Sequence, residues 1–214
     1  MANANGAFGL RPIAKVGQNS NSTGVSGYTQ YEIASGNSNE IFQGSPVIPL
    51  STGFIDIVGA AAGGTVGLVG AFMGCEYVSS TTGKPVFSNH WPGSGADSNH
   101  PVKAFVADDP MQLFAIATDA SLTNEAGARA AVFANANFAS GTSGSSTTGM
   151  SSATLAVSTI NTTANLNLRI MGWQEDPGNE DFAAAGIPMI VRLNNSFNSP
   201  NGAIAGGTVS TTGV

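Results

Sequence analysis

The chain has 214 residues, 42% of them hydrophobic, enough to bury one sizeable core. Only 9% are charged, against roughly 25% in ordinary soluble domains, so the surface is built from neutral hydroxyls and amides that suit close packing against other protein. Seven Lys and Arg against thirteen Asp and Glu give a net charge of −6 with no basic run, which argues against a nucleic-acid groove and a polybasic membrane contact.

The single cysteine, Cys75, leaves no internal disulfide and reads as a small buried hydrophobe. No charged segment followed by an apolar one opens the chain, so no secretory signal is read and synthesis in the cytoplasm is the expectation. The most apolar stretch, Phe54 to Met73, is interrupted by Asp56 and five glycines and reads as strands joined by a turn.

In chain order, residues 1–12 (MANANGAFGLRP) lack periodicity but carry Phe8 and Leu10, and read as an extended arm reaching up to about 40 Å. Residues 13–214 read as a single β domain that opens on a polar loop over 16–27. Short β-rich runs follow at Tyr28–Ile33, Ile41–Gln43, Pro46–Leu50, Phe54–Val58, Val66–Met73 and Glu76–Val78. Further runs are Val86–Ser88, Val102–Val106, Gln112–Thr118, Leu166–Gly172 and Met189–Leu193. Many short strands with frequent Gly, Pro and Asn punctuation predict an all-β antiparallel sandwich or barrel with long Gly/Ser/Asn-rich loops. In the last two runs Leu166, Leu168 and Ile170 oppose Asn167 and Arg169, while Met189, Val191 and Leu193 oppose Ile190 and Arg192. Each arginine is expected on the outer face or at an edge, in a structural ion pair. One short helix is weighed at Ser121–Phe133, capped by Thr123 or Asn124, favoured by its alanines and weakened by Gly127. Residues 139–152 and the tail over 200–214 are low in complexity and read as loop and extended tail.

Chemistry is sparse. Ser88, His90, Asp97 and His100 fall within thirteen residues, but match no catalytic spacing and lie in a Gly/Pro/Ser loop without a rigid support. The acidic clusters Asp108–Pro110 and Asp176–Asp181 read as turns; the second has enough oxygens for calcium but lacks the order of a calcium loop, and an adventitious cation is its alternative. Glu76, Asp108 and Glu175 are not placed as a working carboxylate pair. No catalytic residue, cofactor site or metal site is expected. Trp91 and Trp173 read as anchors beneath loops or as interface residues.

Five segments carry a family likeness: MANANGAFGLRPI, IFQGSPVIPL, GAFMGCEY followed by FSNHWPG, AFVADDPMQLFAIATD, and NLNLRIMGWQEDPGNEDF running into PMIVRLNNS. In sequence and order they resemble head decoration (cement) proteins of tailed bacteriophages, across most of the chain. The resemblance implies a largely β, barrel or jelly-roll-like subunit on the outer surface of the virion. Its partners would be the major capsid protein and copies of itself, as a trimer rather than a dimer, with no direct contact to nucleic acid or membrane. Phe8, Leu10 and Ile13 would be apolar pegs and Arg11 the cation of a capsid clasp. The alternative from the residues is a carbohydrate- or receptor-binding β module using Trp91 with His90 and Asp97, or Trp173 with Asp176.

Overall fold

The computed structural model describes residues 3–17, 27–58, 67–164 and 166–199. Its strands are β1 (Arg11–Lys15), β2 (Thr29–Ile33), β3 (Pro46–Pro49), β4 (Ile55–Ile57), β5 (Gly70–Val78), β6 (Pro85–Ser88), β7 (Val102–Ala107) and β8 (Gln112–Ala117). A short helix α1 (Glu125–Ala131) precedes the two-residue strands β9 (Asn135–Ala136), β10 (Phe138–Ala139), β11 (Gly144–Ser145), β12 (Met150–Ser151) and β13 (Thr154–Leu155). A 3-10 turn at Val157–Thr159 leads to β14 (Leu168–Trp173) and β15 (Pro188–Leu193).

Two antiparallel sheets carry the fold. One has five strands in the order β1-β8-β15-β14-β9; the other has six, β2-β7-β5-β3-β4 with β6 on the far half of β5. The alternation read in the sequence decides their faces. In the five-stranded sheet Phe114, Ile116, Leu168, Ile170, Met189 and Val191 point into the core. Their neighbours Leu113, Ile190, Arg192 and Arg169 occupy the opposite face, as the cross-strand register requires.

The six-stranded sheet curls around a second cluster, with Ile33, Val47, Ile55, Phe72, Trp91 and Val106 inside. Its edge strands β2 and β4 approach each other without pairing, so the barrel is not closed and the architecture is sandwich-like. β5 is the shared wall: Ala71 faces the first cluster while the adjacent Phe72 faces the second. Asp108–Met111 forms the corner by which β7 of one sheet passes into β8 of the other.

Several expectations change in detail. The runs at Val66–Met73 and Glu76–Val78 meet in one strand, β5, which starts only at Gly70 and is bent by a bulge between Phe72 and Gly74, while Val66 lies outside the described residues. Ile41 and Gln43 make only isolated bridges, to Trp91 and Met150. The loop over 139–152 contains the β11–β12 ribbon, held because Gln43 N donates to Gly149 O at 2.8 Å and Ser151 N to Gln43 O at 2.9 Å. The helix is real but shorter than Ser121–Phe133, since Asn124 Oδ1 accepts from Gly127 N at 2.9 Å and so sets the first turn at Glu125. Most of the loop over 16–27 and the tail over 200–214 lie outside the described residues. No described helix is long and apolar enough to cross a membrane.

Candidate interaction surface

The amino-terminal segment, expected to stand free as an arm, lies against the body. Gly9 and Gly44, both at positive φ (69° and 86°), bring two backbones together so that Leu10 N donates to Gly44 O at 2.8 Å. A Cβ on Gly9 would sit 2.6 Å from Gly44 O, so this crossing needs glycine. Leu10 is fully buried in the first cluster and is not available as a peg for another protein. Its burial offsets the entropy of ordering residues 3–10. Arg11 and Ile13 belong to β1, with Ile13 at a bulge opposite β8. Phe8 is half-buried beneath the Arg11 guanidinium, which lies 5.2 Å from its ring centroid. Phe8, Arg11 and Ile13 therefore keep surface; Leu10 does not.

The acidic turns act as clasps for extended segments. Asn3 Nδ2 donates to Ala185 O at 2.8 Å and to Asp181 O at 3.0 Å, Asp181 N donates back to Asn3 Oδ1, and Asn5 N donates to Asn179 Oδ1 at 2.7 Å. Asp176 organises that turn. Hydrogen bonds from the Asn179 amide and Gly178 N, with the charge of Arg11 further off, hold its carboxyl below the usual range. At the other corner Asp108 accepts from Thr29 Oγ1 (2.8 Å), Tyr31 Oη (2.7 Å) and Asn198 Nδ2 (3.0 Å). Burial, ahead of the Asp108 carboxylate, pushes the Tyr31 phenol up. The neighbouring Asp109 forms an ion pair with Lys15. These groups edge an open cleft of about 490 Å³ beside Gly27 and Pro110.

The His-containing loop does not assemble into a relay. His90 approaches Ser88 Oγ at 3.4 Å and stacks on Phe42, whereas Asp97 pairs with His100 at 3.5 Å. No group of three or more metal-ligating side chains occurs among the described residues.

Trp91 is wholly buried, edge-on to Tyr77, with Nε1 donating to Asn37 O at 3.2 Å, so it cannot stack on a sugar. Trp173 meets Phe182 edge-on and carries the Arg129 guanidinium 5.3 Å from its ring centroid. A shallow apolar groove of about 390 Å³ between Tyr28, Met73, Phe87 and Phe105 lies on the six-stranded sheet, with Phe87 72% exposed.

The ion pairs expected for Arg169 and Arg192 are not formed. The two arginines lie directly opposite each other on β14 and β15, and among the described residues neither has a carboxylate partner. Sequence alternation placed both on the outer face, but the register that puts them side by side is a tertiary outcome.

Fold and surface together define an all-β protein of two antiparallel sheets whose outer faces carry half-buried apolar and unbalanced charged groups. No protein-family model matches the chain, and neither a curated protein nor a solved structure matches it.

Proposed function

We propose that the chain is a non-enzymatic structural subunit that binds the outside of an assembled phage capsid, bridges neighbouring major capsid protein subunits and associates with copies of itself. The binding role is carried by one observation: the outer face of the five-stranded sheet presents Arg11, Arg169 and Arg192 among apolar side chains, and the latter two have no carboxylate partner within the described chain. Isolated proteins seldom leave half-buried guanidinium groups unbalanced unless something outside the chain meets them. The capsid as partner rests on the five resembling segments and on a surface poor in charge.

The mechanism is mass action. A subunit that binds only the assembled shell stabilises that shell by its differential affinity, multiplied over many symmetric copies. Phe8 and Arg11, stacked at the edge of the same sheet, extend the contact face. The site is the outer surface of the virion, reached after synthesis in the host cytoplasm.

Cryo-electron microscopy of the particle that encodes the chain tests the reading. Density for both sheets on the outer capsid surface is expected, with the Arg169–Arg192 face towards a neighbouring subunit. Density only at the tail or fibres overturns the capsid role.

A further inference from the structure

The outer face of the five-stranded sheet carries two arginines that have no ion-pair partner among the described residues. Arg169 and Arg192 are direct cross-strand neighbours, an arrangement in which like charges repel. A guanidinium cannot relieve the repulsion by losing its proton. Arg169 Nε donates to Asn135 Oδ1 at 3.1 Å, but Arg192 Nε is buried with no hydrogen-bond partner. The rest of that face, from Ala14 and Leu113 to Ala115 and Ile190, supplies no carboxylate.

The opposite charge lies at the end of the same strand. β14 runs out at Trp173 into the acidic turn, where Glu175 and Glu180 are exposed and without an ion-pair partner among the described residues. Arg11, which shares the outer face, donates to Gln174 Oε1 at 3.3 Å, so the turn leaves the sheet beside that face. Six residues separate Arg169 from Glu175, at most about 20 Å of extended chain. One face thus has a cationic end and an anionic margin.

We propose that this face docks a second copy of the chain about a two-fold axis, the Arg169–Arg192 pair of each copy receiving the Glu175–Glu180 turn of the other. Charge complementarity selects the occupant, because among the described residues neither the two arginines nor the two glutamates have an ion-pair partner. A two-fold axis makes both contacts at once from one patch. A carboxylate between the two guanidiniums relieves their repulsion and accepts paired hydrogen bonds. Half-buried Ile190 lies between the charged ends, half-buried Leu113 lies beside Arg192, and both are covered in the same step. The inference rests on the reading of the chain as a self-associating subunit, and its two-fold contact departs from the trimer that the resemblance implies.

Sedimentation velocity of the full chain, over a range of concentration and salt, tests it with two double variants whose folding is checked by circular dichroism. The wild type is expected to dimerise and to weaken as salt rises. Arg169→Glu with Arg192→Glu, and separately Glu175→Arg with Glu180→Arg, should each lose about tenfold or more in affinity. An equal mixture of the two should recover the dimer, because every charge contact is then attractive again. If either folded variant dimerises as tightly as the wild type, or the mixture recovers nothing, the docking face is overturned while self-association stands. A wild type that stays monomeric overturns self-association as well, whereas capsid binding is decided separately by the particle density. Should the arginine double variant fail to fold, the exposed glutamate pair carries the test alone, and unchanged dimerisation of that variant overturns the proposal.

Discussion

At Gly127 a side chain has nowhere to go: a Cβ there would lie 2.1 Å from the carbonyl oxygen of Leu122. Propensity alone says that alanine in the middle of α1 should stabilise by about 0.5–1 kcal/mol. The close approach reverses the sign. Gly127→Ala is expected to lower stability by about 1 kcal/mol or more, measured by urea unfolding against an exposed control such as Ala130→Ser. The glycine that weakens the helix in sequence terms is what lets Leu122 fold back beneath it.

Cys75 is a second case in which the environment decides the chemistry. It is 2% exposed inside the curled sheet, and burial pushes its thiol up to about 12. Between the ordinary value near 9.0 and about 12 the folded protein keeps a proton that the unfolded chain has lost, so stability falls as pH rises through that window. Below it the thiol is neutral in both states and this pH dependence vanishes. Alkylation at about pH 8 is therefore expected to proceed only through opening of the fold and to accelerate with denaturant, as read by intact mass. Rapid labelling of the native protein would contradict the burial.

At the scale of the element, the amino-terminal strap and the acidic turn form one unit. Residues 3–5 are tied to 176–185, Leu10 fills the first cluster, and β1 pairs with β8. Deleting residues 1–12 removes a fully buried leucine and the first two residues of β1. It should cost about 3–5 kcal/mol, seen as a large drop in the urea midpoint or as failure to fold. Phe8→Ala, at a half-buried surface position, should cost about 1 kcal/mol or less and leave the midpoint close to that of the wild type. Any loss of partner binding in that variant then reports contact rather than unfolding.

At the scale of the whole molecule, the two clusters share β5 and the corner between β7 and β8, so they should melt together. Each contains or borders one tryptophan, Trp91 in the second and Trp173 against the first. With Trp91→Phe and Trp173→Phe as single-tryptophan reporters, each variant's fluorescence transition in urea is expected to coincide with its own circular-dichroism transition. A fluorescence transition displaced from that of the whole chain would show that the sheets unfold separately.

Much of this molecule was legible along the chain. Period-two alternation marked the cores of β14 and β15, and Pro, Gly and Asn punctuation marked most strand ends, because which side chains share a face is a local property. β1 and β9 to β13 are not marked in the sequence because they are short, two residues each apart from β1, show no sustained alternation, and pair only because a partner is brought to them. Leu10 looked like a free peg for the same reason. Nothing near it in sequence announces the Gly9–Gly44 crossing that carries it into the core.

By itself, then, the sequence determined the β class, the scarcity of charge, the outward placement of both arginines and the turn character of the acidic clusters. All of these follow from composition and from interactions within a few residues. The burial of Leu10 and Trp91 and the turning of Asp97 to His100 rather than His90 come from long-range packing. It alone set Arg169 against Arg192, since strand register is chosen by the packing of the opposite, apolar face, and the charged face has to accept the neighbours that choice imposes.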